Sequence, residues 1–257
     1  MFPLRDNNPT VHRSIMTFYI ITLNVLCWIL IQGAGFPPFL QRSVVKFGLI
    51  PREIFSIFFK EKEISGSFFT YVINNTPKLY TIFTSMFMHG GWFHLISNMW
   101  FLAVFGDNVE DVMGSFKFFL FYILCGIGAF VVHSILNLSS SLPMVGASGA
   151  ISGVLGAYFI LYPRAPVYTL LFFGWIWTVI FPAWFLIGYW FLLQIIGGIP
   201  SLFISTGGIA FWAHIGGFLT GIFLVRFFID PVRFEERRRC LGCVKKFYTP
   251  VRRSFFN

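Results

Sequence analysis

The sequence predicts an all-α membrane protein, a bundle of six transmembrane helices with a long outer loop after the first. Three observations predict it. The 257-residue chain is 56% hydrophobic and 21% aromatic but only 11% charged, whereas soluble domains carry about 25% charged residues. Its apolar residues fall into runs near the ~20 residues that a bilayer crossing requires. Nine of its 19 Lys and Arg residues lie between Arg226 and Arg253, directly after the last apolar run. That is where the positive-inside rule and attraction to anionic lipid place a cytoplasmic tail. The length suits one membrane domain without a second globular one.

The net charge of +9 does not indicate nucleic acid, because the basic residues concentrate in the tail and no stacking platform or nucleic-acid motif accompanies them. The expected surroundings are membrane lipid.

Residues 1–14 read as a polar cytoplasmic N-terminus. The run from Ile15 to about Gln32 is the first span; no A-x-A-like cleavage site follows it, so it reads as a retained helix and not a signal peptide. Residues 35–88 form the outer loop, with Pro37-Pro38, the charges from Glu53 to Glu63, and Asn74-Asn75-Thr76-Pro77. Amphipathic pieces of this loop are expected to rest on the membrane surface.

Further spans are predicted over 92–106, 116–136, 145–162, 183–199 and 209–229. The piece from Val167 to Ile180 lies between Pro166 and Pro182. As a helix it would reach only about 21 Å, short of a hydrocarbon core of about 30 Å, so it is predicted as buried or interfacial connecting structure. The membrane domain then covers 15–229, the basic cytoplasmic tail 230–257, and both termini are cytoplasmic. The short N-terminus and the lack of a targeting peptide suggest a multi-pass protein of a prokaryotic plasma membrane.

The cysteines carry little. Cys27 and Cys125 lie in apolar runs and suit packing. Cys240-Leu241-Gly242-Cys243 has metal-ligand spacing but no second pair. Neither a metal nor a cofactor is expected.

This topology sets chemistry at one depth. Spans two, four and six all run from outside to inside, and each carries polar residues in its first turns. His94 and Asn98, at i and i+4, share a face of the second; Ser148 begins the fourth; His214 stands near the start of the sixth. A hydroxyl and an imidazole in membrane helices suggest a nucleophile and its base. An unsatisfied polar group in an apolar medium costs roughly 2–7 kcal/mol, while interhelical hydrogen bonds average only about 0.6 kcal/mol. Packing alone is therefore a weak reason for four such residues, and intramembrane ionisable groups are functional candidates. Gly149 with Gly153, and Gly217 with Gly221, form G-x-x-x-G pairs that let helix backbones approach near the site.

The combination of Gly146-Ala147-Ser148-Gly149-Ala150, His89-x4-His94-x3-Asn98 and Ala213-His214-x-x-Gly217 resembles the rhomboid intramembrane serine proteases. The likeness runs from Pro3-Leu4-Arg5-Asp6 through Phe105-Gly106 to Gly221. It implies a six-helix core in which Ser148 is the nucleophile, His214 the general base, and no acidic third member is present. It further implies an oxyanion hole of His94, Asn98 and the Ser148 backbone N–H, and transmembrane segments of other proteins as substrates. The fifth span would flank the substrate's side entrance, and the chain from about Pro200 to Gly208 would cap the pocket. Two positions depart from the family pattern. Tyr80-Thr81 stands where members often have Trp-Arg, and Ser152 stands where an aromatic often stacks on the base histidine.

The function expected is that of a serine endopeptidase acting on transmembrane substrates. The alternative is a catalytically silent rhomboid-like protein that binds transmembrane helices. A channel is disfavoured, because the inner halves of the helices, such as Leu155 to Leu161, are apolar.

Overall fold

The computed structural model describes residues 1–55, 78–201 and 210–247. Its elements are β1 (Phe2–Asp6), α1 (Ile15–Leu30), α2 (Pro37–Phe47), α3 (Pro51–Phe55), α4 (Thr81–Thr84), α5 (Trp92–Met113), α6 (Ser115–Leu136), α7 (Ser148–Leu161), β2 (Pro166–Phe173), β3 (Trp175–Pro182), α8 (Ala183–Ser201), α9 (Phe211–Phe228) and α10 (Pro231–Phe247). Among the described residues, three helices are long and apolar enough to cross a membrane: α6, α8 and α9. The apolar helices α1 and α7 are shorter, at 16 and 14 residues.

The protein is mostly helical, but the prediction of an all-α fold is corrected by a three-stranded antiparallel sheet in the order β1-β2-β3. Residues 166–182 form a hairpin paired in register from Pro166 with Pro182 to Phe173 with Trp175. Gly174, with φ +64°, supplies the reversal at its tip, a conformation glycine adopts without steric penalty. The hairpin returns the chain to the end it left, since Ala183 N–H donates to Ala165 C=O at 2.9 Å and Trp184 N–H to Pro163 C=O at 2.8 Å. The predicted polar N-terminus contributes the third strand, with Phe2 opposite Leu170 and Asp6 opposite Val167.

The core is built on α7, which is buried along Gly149 to Tyr158. It packs between α6 and α9. Glycine permits the closest of these approaches: a methyl group on Gly217 would overlap the Gly149 carbonyl oxygen, and one on Gly221 would overlap that of Gly153. The two contacts keep one sequence offset, so α7 and α9 run parallel and begin at the same end.

At the other end, residues 107–111, beyond the predicted span 92–106, are helical. α5 continues to Met113, and the chain turns at Gly114, with φ +78°. Glu110 and Asp111 are buried there because donors reach them from distant parts of the chain. The Glu110 carboxylate accepts the Met16 and Thr17 N–H groups at 2.8 and 2.7 Å, serving the unpaired first turn of α1. Asp111 accepts the Val11 and His12 N–H groups at 3.1 and 2.8 Å and pairs with Arg237. Arg237 comes from the predicted basic tail, which forms α10, and is only 2% exposed. It also donates to Asn8 and Asn108, each at 2.7 Å, and lies over the Tyr162 ring.

Candidate active site

Ser148 is the first residue of α7 and His214 lies in the first turn of α9. Because these helices are parallel and in glycine contact, their first turns are adjacent. His214 Nε2 stands 2.8 Å from Ser148 Oγ, within reach for proton transfer between a hydroxyl and its base. Both side chains are half-buried.

His94 and Asn98 occupy one face of α5, as their spacing predicts. Asn98 is buried, and its side-chain N–H donates to the His94 carbonyl at 2.9 Å. Gly90 N–H lies 3.3 Å from His94 Nδ1. A backbone N–H can only donate, so it fixes Nδ1 as acceptor and leaves the proton of the neutral ring on Nε2. That nitrogen faces Gly146: a Cβ there would meet it at 2.7 Å and Ser148 Oγ at 3.5 Å. Gly146 also has φ +129°, so glycine is required both by the backbone and by the ring against it. Gly146 N–H donates to Ser85 C=O at 2.9 Å, anchoring the approach to Ser148. Ser148, His214 and His94 thus meet around the head of α7, with Asn98 one turn along α5 from His94.

His89, the first histidine of its motif, is fully buried. Gln32 clasps its backbone, donating to its C=O at 2.7 Å and accepting its N–H at 2.8 Å, and its ring meets that of His94 edge-on at 5.1 Å. Its contacts are those of a brace behind His94. Ser152 donates to the Ser148 carbonyl at 2.6 Å, so its hydroxyl is engaged within α7. Tyr80 donates to the Lys46 carbonyl at 3.2 Å, and Thr81 is a buried helix start. The segment predicted to cap the pocket lies almost wholly outside the described residues.

One side chain at the site was missed. Gln194, on α8 and 8% exposed, presents its carbonyl oxygen to His214 Nδ1 at 2.8 Å. Trp190, one turn earlier, holds its ring 6.0 Å from the imidazole at 39°. The available signal was a lone amide in an apolar helix, the same criterion that singled out the other four residues.

A small cavity of about 20 Å³ adjoins Ser148 and Gly149, reaching Ser85 and Ala213, room for about one water. A second, apolar cavity of about 110 Å³ lies between α5, α7 and α8, against Phe101, Leu155, Leu186 and Trp190.

The Rhomboid domain model matches residues 76–231, well over half of the chain. The chain belongs to the rhomboid family. It is similar to Rhomboid-like protein 11, chloroplastic, of Arabidopsis thaliana, 40% identical over 36% of this chain and 32% of that protein. It is also similar to Rhomboid protein 1, mitochondrial, of Saccharomyces cerevisiae, 28% identical over 65% of this chain and 47% of that protein. The matches therefore span about a third to a half of these rhomboid relatives' own lengths. Rhomboid proteins include intramembrane serine proteases and also inactive members. One of the latter, Inactive rhomboid protein 1 of Papio anubis, is 25% identical over 63% of this chain and 18% of its own length. The rhomboid domain and the apolar helices make this an integral membrane protein.

Proposed function

We propose that the protein is an intramembrane serine endopeptidase that hydrolyses peptide bonds in or near transmembrane segments of other membrane proteins. The observation that carries the reading is the 2.8 Å contact between His214 Nε2 and Ser148 Oγ inside a rhomboid domain.

In this reading Ser148 Oγ attacks the scissile carbonyl carbon as its proton passes to His214 Nε2, since a hydroxyl is a weak nucleophile without an adjacent base. The C–O bond forms and the carbonyl π electrons move to oxygen. Three donors are suited to that oxyanion: the Ser148 N–H, free at the head of its helix; the Nε2–H of His94; and the amide hydrogen of Asn98 not given to His94. The imidazolium then returns its proton to the leaving nitrogen as the C–N bond breaks. A water attacks the acyl group by the same route in reverse and restores the serine.

The fold supports a sunken site. α7 has 14 residues and so reaches roughly 21 Å, about 9 Å less than the hydrocarbon core, and Ser148 stands at its head. We place six spans across the membrane, with α1, α5 and α7 joining the three long apolar helices, and both termini inside. A prokaryotic plasma membrane is part of the same proposal, although the relatives named by compartment are organellar. Substrate would enter past α8, where the apolar cavity lies between it and α5. A substrate helix must open to present an extended bond, so weak helix formers such as Gly near the cut are preferred.

The second reading is a silent rhomboid protein that binds transmembrane helices, as the inactive relative suggests. Reconstitution in liposomes with a panel of single-span substrates, read by product mass, tests both. Cleavage by the parent, abolished in Ser148→Ala, upholds the protease. Fluorophosphonate labelling that Ser148→Ala leaves unchanged, with no product from any substrate, supports the binder.

A further inference from the structure

We infer that Gln194 is the positioning residue for His214, its side-chain oxygen fixing the ring in the tautomer and orientation that turn Nε2 toward Ser148. The inference rests on the reading of Ser148 and His214 as nucleophile and base.

The amide has only one favourable orientation. Its nitrogen lies 3.1 Å from the Trp190 carbonyl oxygen, to which an N–H donates well and a second oxygen would be repelled. The amide oxygen is thereby the atom facing His214 Nδ1, and an oxygen of this kind only accepts. The proton of the neutral ring must then sit on Nδ1. Nε2 is left as an acceptor, which is the state needed to take the serine proton.

Among the described residues, nothing else near the ring does this. The Ser148 hydroxyl can donate or accept and selects no tautomer. The titratable side chains near enough to act electrostatically on His214, among the described residues, are His94 from α5 and His133 from α6, and neither is acidic. Trp190 packs against the ring without bonding to Nδ1. Gln194 is also the one side-chain amide in the 19 residues of α8. Burying an unpaired amide is costly, so a position with two good partners for it is a built one.

An amide also suits the medium. A carboxylate in this place would stabilise the imidazolium more strongly, but it would carry a full charge into an apolar bundle. Gln194 supplies orientation without that charge.

The test uses the full-length protein in detergent, labelled with ¹⁵N histidine, with the His214 signals identified by their loss in His214→Ala. The expected parent spectrum has His214 protonated on Nδ1, and Gln194→Leu mixes the two tautomers. An unchanged tautomer in Gln194→Leu overturns the inference whether or not the protein proves to be a protease. On a cleaved transmembrane substrate, kcat of Gln194→Leu should fall about 10²-fold with KM within about twofold. Gln194→Glu, which keeps an acceptor, should recover most of the rate and move the acid limb of the pH–rate profile upward. Equal losses in both variants with an unmoved acid limb would mean a packing role and overturn the inference. Absence of cleavage by the parent would instead count against the protease reading alone, leaving the tautomer measurement to decide on Gln194.

Discussion

The α-carbon of Gly217 lies against the carbonyl oxygen of Gly149 so closely that no side chain fits between them. This contact sets the separation of α7 and α9 one turn from the point where Ser148 meets His214. Gly217→Ala should push the helices apart, and cleavage should fall by at least ~10²-fold, since misplacement by about 1 Å can cost that much. Gly188, where a Cβ would meet only Phe159 at 3.9 Å, is the control: Gly188→Ala should leave the rate within about twofold.

His94 and Asn98 should behave as oxyanion donors and not as substrate-binding groups. Replacing either with Ala is expected to lower kcat by about 10²–10³-fold with little change in KM. The kinetics of the double variant decide whether they act on one oxygen: losses much smaller than the product of the singles indicate a shared role.

Arg237 ties α10 to the N-terminal segment and to the C-terminal end of α5. Arg237→Ala leaves Asp111 buried without its cation, a loss of about 3–5 kcal/mol for a broken buried pair. Thermal unfolding in detergent should show a lowered Tm. The Asp111→Asn, Arg237→Met double variant should recover part of it, because neither partner then keeps an uncompensated charge.

The same end of α5, beyond the predicted span 92–106, should give opposite pH signatures. Burial pushes the Asp111 carboxyl up, but the Val11 and His12 N–H groups, the His12 ring and Arg237 outweigh it and hold it below its ordinary 3.8. Its stabilisation is therefore present above the unfolded value and is lost as pH falls through the lower folded one. Asp6 is raised by burial, against the hydrogen bond from Tyr158. Its contribution is fully present below 3.8 and is lost as pH rises through the raised folded value. Tm measured from pH 3 to 7 should lose part of its acid-side fall in Asp111→Asn and gain at neutral pH in Asp6→Asn.

The residues of the candidate site were legible because a hydroxyl, an imidazole or an amide is conspicuous in an apolar run. Ser148, His94, Asn98 and His214 were found this way, and counting spans predicted a common depth for them. Gln194 met the same criterion but lies beyond the first turns of its span, where the other four stand, so it was not grouped with His214. The cluster around Asp111 was hidden for a related reason. Glu110 and Asp111 look like a charged turn until Met16, His12 and Arg237, about 90 to 130 residues away, are brought to them. The hairpin 166–182 was ambiguous by composition, since its apolar residues suit a buried helix as well as strands; Gly174 at its centre, between Pro166 and Pro182, was the local sign of a reversal.

That reversal divides the chain between the serine and the histidine proposed to react. A break at Gly174, whose surroundings are open, would leave the serine on one polypeptide and the imidazole on the other, with the parallel contact of α7 and α9 as the seam that rejoins them. Two such halves produced together would have neither activity alone, and any hydrolysis they regain would report the pairing of membrane helices in a living cell.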